Sequence, residues 1–145
     1  MNTSETLTFF SPKEMGKVEG TIFKDIGISA GFPSPADDFR ETRISLDEEL
    51  IRNKEATFFA KVSGQSMIGA GLDDNDLLVI DRSIAPENNK IAVCFLDGEF
   101  TVKRLRVTKD EVWLQPENPD YPIIKITEEN NFVIWGIVTS VIKKV

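Results

Sequence analysis

The sequence has no histidine and a single cysteine, Cys94. Without histidine, Ser-His-Asp and Cys-His machinery of the usual kind is excluded, and the commonest side-chain ligand of transition metals is gone. One cysteine rules out an intramolecular disulfide and a cysteine cluster for zinc. Cys94 lies in an apolar run and is expected to be a small buried hydrophobe. No stretch approaches the roughly 18 apolar residues of a membrane-spanning helix. The opening Met1-Asn2-Thr3-Ser4-Glu5 lacks the basic-then-apolar pattern of a secretory leader, so a soluble, cytoplasmic protein without membrane contact is expected. Positive charge is also short: 17 Lys and Arg face 24 Asp and Glu, a formal net charge of -7. Such a surface repels phosphate backbones, and direct sequence-specific DNA binding is not expected. Nucleophilic chemistry, if present, must draw its base from a carboxylate or a lysine.

What is present is enough apolar material for a core: 41% of 145 residues are hydrophobic, which suits one domain, with or without a tail. The first thirty residues sustain neither a helical nor a strand period. Pro12, Gly16, Gly20 and Gly27 interrupt them, and residues 1–30 are expected to be a flexible N-terminal arm. Ser11-Pro12-Lys13-Glu14 is its best helix-start signal. Gly31-Phe32-Pro33 reads as a hinge, because proline biases its predecessor away from helix. Two short helices are predicted after it. One starts at Ser34-Pro35-Ala36-Asp37 and one at Ser45-Leu46-Asp47-Glu48, a capping-box pattern.

From residue 57 the pattern is β. Strands are predicted at 57–62, 77–80, 91–96, 99–107, 112–114, 123–126 and 132–142, with Asp97-Gly98 as a tight hairpin turn. The predicted fold is mostly β: a compact domain over residues 31–145, preceded by the arm.

Two places carry residues suited to chemistry. Ser63-Gly64-Gln65-Ser66-Met67 follows a predicted strand, and a turn there can push a serine hydroxyl into a cleft while backbone N–H groups face an oxyanion. Serine is also simply common in polar turns. The second place is Lys103, on the strand Phe100-Thr101-Val102-Lys103-Arg104-Leu105-Arg106-Val107. Alternation puts Lys103 on one face with Thr101, Leu105 and Val107, and the arginines on the other. Burial on that face penalises the charged form and favours the neutral amine, a competent base for a serine hydroxyl. An edge-strand lysine, or one whose stem lies on the core with its head in water, fits the same pattern. Arg104 and Arg106 are left to meet acidic groups of this chain or of a partner.

In order and spacing, three segments resemble the UmuD-like SOS mutagenesis proteins, of the LexA-related family of self-cleaving serine peptidases. Ala30-Gly31-Phe32-Pro33-Ser34-Pro35-Ala36 resembles the family's self-cleavage site. Ser63-Gly64-Gln65-Ser66-Met67 resembles its nucleophile loop, and Asp97-Gly98-Glu99-Phe100-Thr101-Val102-Lys103 its base-bearing strand. The likeness runs from about residue 28 to the C-terminus. It implies a LexA-like fold of twisted, mainly antiparallel sheets, with Ser66 as nucleophile, Lys103 as general base and the backbone N–H groups of Ser66 and Met67 as oxyanion donors. It implies a cut between Ala30 and Gly31 that releases residues 1–30, with no cofactor and no metal. It also implies a homodimer, stimulation by RecA filaments on single-stranded DNA, and a Y-family polymerase subunit resembling UmuC as the partner of the shortened form.

Other functions fit less well. A LexA-type repressor needs a helix-turn-helix domain ahead of the cleavage site, which thirty weakly patterned, non-basic residues do not supply. A signal peptidase needs a membrane anchor or an apolar membrane-contact surface. A UmuD-like transcriptional regulator and a non-catalytic polymerase accessory module stay as alternatives, the second opposed by the presence of both Ser66 and Lys103.

Overall fold

The computed structural model describes residues 6–12, 21–24 and 41–145, the backbone alone for 21–24 and 41–42. The chain divides into two compact units, one made of residues 1–12 and 53–145 and the other of residues 13–52. The expected hinge at 31–33, the boundary after Ala30 and the helix start at Ser34 lie outside the described residues. So does the helix expected to follow Ser11-Pro12.

In the smaller unit, β2 (Thr21–Lys24) pairs antiparallel with β3 (Glu41–Ile44). Sequence patterning predicts neither strand. Four residues each are too few to establish a period, and the pairing joins segments far apart in sequence. The helix α1 (Leu46–Leu50) follows, and it starts where the capping-box pattern predicts. Ser45 is its N-cap, and the Ser45 hydroxyl accepts from the Glu48 N–H at 3.5 Å. The acids Asp47, Glu48 and Glu49 occupy its first turn, where they complement the helix dipole.

The larger unit is one curled antiparallel sheet. Its strands are β1 (Thr6–Phe10), β4 (Thr57–Ser63), β5 (Leu77–Asp81), β6 (Ile91–Leu96), β7 (Glu99–Val107), β8 (Val112–Gln115), β9 (Ile124–Lys125) and β10 (Phe132–Ile142). The spatial order is β1-β4-β5-β10-β6-β7-β8-β9. The seven strands predicted from residue 57 onward are present within a residue or two of their expected ends. Residues 6–10 add one that the sequence does not announce. There the alternation is short, with Leu7 and Phe9 half-buried and Thr6, Thr8 and Phe10 exposed.

The centre of the sheet is covered on both faces, as its near-continuous apolar strands require. Ala60, Val62, Met67, Leu72, Leu78, Ile80, Val93 and Val102 form one buried cluster. Ala92, Cys94, Leu105, Leu114 and Ile137 form the other. Successive residues of β6 thus feed opposite clusters, as strand parity demands. Each fully buried Leu, Ile or Val side chain contributes about 1.5–3 kcal/mol. The β6–β7 register pairs Leu96 with Glu99 and Ala92 with Lys103. It is fixed by the two-residue turn Asp97-Gly98, whose φ values of 47° and 92° match the hairpin geometry that Asp-Gly favours. Among the described residues no helix is long and apolar enough to cross a membrane.

Candidate active site

Three segments build the site. The first is the loop after β4. Past the last β4–β5 pair, Lys61 with Leu77, Val62 makes two further backbone bonds: its N–H donates to Asp76 O at 3.0 Å, and its carbonyl accepts from Asn75 N–H at 2.8 Å. Gly64 N–H donates to Asp74 Oδ1 at 3.0 Å. The chain then turns through Ser66 and Met67 into a short 3-10 turn, Ile68–Ala70. Met67, 2% exposed, is the anchor that sinks this loop into the core.

The second segment is β7, which carries Lys103. Lys103 is 5% exposed and Ser66 1%. Lys103 Nζ lies 3.1 Å from Ser66 Oγ, 2.5 Å from Thr101 Oγ1 and 3.1 Å from Val102 O. The two residues are 37 apart in sequence, and the structure brings them into hydrogen-bond contact. Strand parity places Lys103 as the sequence predicts, on the face of the buried Leu105 and opposite the small Ala92. Nζ donates to the Val102 carbonyl and to the Thr101 hydroxyl oxygen, and these two bonds orient the amine beside the Ser66 hydroxyl. That is the geometry a serine nucleophile and a lysine base require.

The third segment, residues 116–119 just after β8, has no sequence-level signature beyond Pro116 and Pro119 bracketing Glu117-Asn118. Glu117 N–H donates to Ser66 O, and Gly69 N–H donates to Glu117 O, both at 2.8 Å. Asn118 Nδ2 donates to Gln65 O at 2.8 Å. The loop is therefore gripped at Gln65, Ser66 and Gly69. The approach is so close that a Cβ on residue 69 would stand 2.6 Å from Glu117 O, which is why glycine sits there. Arg104 ties this clamp back to β7. Its Nε donates to Glu117 Oε1, and its Nη1 donates to Asn89 O at 2.6 Å. Arg106 Nε donates to Gln115 Oε1 at 2.8 Å. The acidic group expected for Arg104 is therefore Glu117 of the same chain. An open cleft of about 450 Å³ runs along this segment, lined by Pro116, Glu117, Asn118, Pro119, Tyr121 and Ile123 among others.

Cys94 is fully buried. Burial pushes its thiol up to about 12, against a smaller opposing influence of the Lys103 charge. It behaves as the apolar filler the sequence predicts and brings no nucleophile to the site. The expected scissile residues Ala30 and Gly31 lie outside the described residues. Among the described residues no cluster of three His, Cys, Asp or Glu side chains could hold a metal ion.

Comparison with known proteins gives a consistent picture. The family model Peptidase S24-like matches residues 22–139. The chain is 43% identical to Protein MucA of Salmonella typhimurium over 113 residues, 77% of each chain. It is 44% identical to Protein SamA of the same organism over 115 residues, 79% of each chain. It is 37% identical to the LexA repressor of Delftia acidovorans over 116 residues, 80% of this chain and 51% of that repressor.

Proposed function

Because the chain belongs to the Peptidase S24-like family, we propose that it is a serine peptidase that cuts its own backbone between Ala30 and Gly31. The observation that carries this is the buried contact of 3.1 Å between Lys103 Nζ and Ser66 Oγ. In the first step the Lys103 amine accepts the Ser66 hydroxyl proton while Oγ bonds to the Ala30 carbonyl carbon. The carbonyl oxygen becomes an oxyanion held by the backbone N–H groups of Ser66 and Met67. The Lys103 ammonium then gives its proton to the departing Gly31 nitrogen, leaving Ala30 as an ester on Ser66. In the second step Lys103 takes a proton from water as the hydroxide bonds to the ester carbonyl carbon; the Lys103 ammonium then returns that proton to the departing Ser66 Oγ, and the new Ala30 carboxyl gives its own proton to solvent. The small side chains of Ala30 and Gly31 suit a narrow cleft that takes extended backbone. No metal or cofactor enters this scheme.

The protein acts in the SOS response to DNA damage as a homodimer, on the resemblance to UmuD-like proteins. RecA filaments on single-stranded DNA stimulate the cut, and the shortened form serves a Y-family polymerase resembling UmuC in error-prone synthesis. An acidic chain is suited to reading DNA through protein partners that hold the DNA.

The test is intact mass spectrometry of the purified chain over time, at neutral and mildly alkaline pH, with and without RecA filaments. Cleavage driven by a lysine base is expected to quicken in alkali. Products ending at Ala30 and beginning at Gly31 should accumulate. Ser66→Ala and Lys103→Ala should each abolish them. No cut under any condition, or normal cutting by Lys103→Ala, sinks the assignment.

A further inference from the structure

Of the described segments that precede the proposed cut, β1 is the one seated in the unit that holds Ser66 and Lys103. It forms one end of the eight-stranded sheet and pairs with β4 along its whole length, from Thr6 opposite Ser63 to Phe10 opposite Phe59. Leu7 and Phe9 pack against the cluster that contains Val62, Met67 and Val102. The Phe9 ring is the deepest commitment. Its centroid lies 4.8 Å from that of Phe100 on β7 and 4.7 Å from that of Trp135 on β10, distances typical of favourable aromatic pairs. Phe58 and Phe95 extend the same group, at 5.1 Å from Trp135 and Phe100 respectively. These contacts involve no residue between 11 and 52, so a break in that stretch removes none of them.

We propose that residues 6–10 stay on the domain after the chain is cut, so that cleavage turns a tethered strand into a non-covalent one that can later exchange. Departure has two physical costs. It bares the backbone N–H and C=O groups of β4 along a sheet edge, and it empties the ring site between Phe100 and Trp135. The cut itself relieves neither cost. Losing the arm is therefore a second step, separate from bond breakage and controlled by dilution or by a competing extended peptide. The proposal rests on the self-cleavage reading only for the natural origin of the cut.

The experiment makes the cut independently of the chain's own chemistry. A recognition sequence for a site-specific protease is placed between residues 25 and 40 of the full chain carrying Ser66→Ala, and that protease is added. The two pieces are expected to co-elute in size exclusion, to appear at their summed mass in native mass spectrometry, and to keep amide-exchange protection over residues 59–63. Phe9→Ala should weaken retention by more than about a hundredfold, with Phe9→Leu between it and the parent. Separate elution of the unsubstituted pieces, loss of protection on β4 after the cut, or a Phe9→Ala piece held as tightly as the parent overturns the proposal. If the unaltered chain never cleaves itself but the protease-cut chain retains its strand, the self-cleavage falls and the docking stands.

Discussion

Thr101 shares its strand face with Lys103 and stands two residues before it, so its hydroxyl meets the same amine, at 2.5 Å. Its contact with the amine orients Nζ. Thr101→Val keeps the β-branched shape and deletes the hydroxyl. The expected loss is about tenfold in the cleavage rate, the worth of one hydrogen bond of roughly 1–1.5 kcal/mol. A mass-spectrometric time course, with the melting temperature as a control for folding, reads both. At this scale the face of Lys103 was legible in the sequence through strand parity, whereas its meeting with Ser66 was expected from the likeness to the UmuD-like proteins. Glu117 was not legible. It grips Ser66 and Gly69 through its own N–H and C=O, groups that nearly every residue has, and its side chain serves Arg104. A contact made by backbone leaves no compositional trace.

The loop that carries Ser66 depends on a segment it does not belong to, the residues just after β8. Its geometry is set by the clamp from residues 117–118, and Arg104 links that clamp to β7, the strand that carries Lys103. Gly69→Ala puts a Cβ into the Glu117 carbonyl, where the nearest atom is rigid backbone. The expected cost is about 1–3 kcal/mol of stability, with cleavage falling further than stability because Ser66 is displaced relative to Lys103. Denaturant titration and the cleavage assay on the same preparation separate the two effects. Equal behaviour of Gly69→Ala and the parent in the cleavage assay would show that the clamp does not position Ser66. The strands from β4 to β10 were legible because each has a run of apolar or alternating residues bounded by turn signals. β1, β2 and β3 were not, at four or five residues each, because pairing and packing against distant segments define them. Ser45 and its helix were legible because capping is local chemistry.

Across the molecule, acidic residues outnumber basic ones, so a lysine that holds two acids has weight. Lys143, just past β10, donates to Asp73 Oδ2 and Asp76 Oδ2 of the loop between β4 and β5. Asp76 is buried. Burial alone would raise its carboxyl, but the hydrogen bonds from Lys143 and the Asp73 N–H, with the Lys143 charge, hold it below the ordinary 3.8. Those same acids hold Lys143 above the ordinary 10.5. A carboxyl lowered by folding contributes stability that is present above 3.8 and fades as pH falls through its folded value. A raised lysine contributes below 10.5 and fades as pH rises through its folded value. The melting-temperature gap between the parent and Lys143→Met should therefore be flat between those limits and close beyond both. A gap that does not change with pH would assign Lys143 to packing.

Trp135 sits where β1 meets the rest of the sheet. Phe9, Phe58 and Phe100 surround its indole, and the Arg82 guanidinium carbon lies 4.5 Å from the ring centroid. Phe9 is the one of these that travels with β1. Indole emission follows its surroundings, so the chain contains its own optical gauge of whether the strand is seated. With Trp113→Phe removing the other indole, the emission colour of Trp135 would shift to the red as a cut chain lost β1. Departure could then be timed in a stopped-flow cuvette with no dye attached.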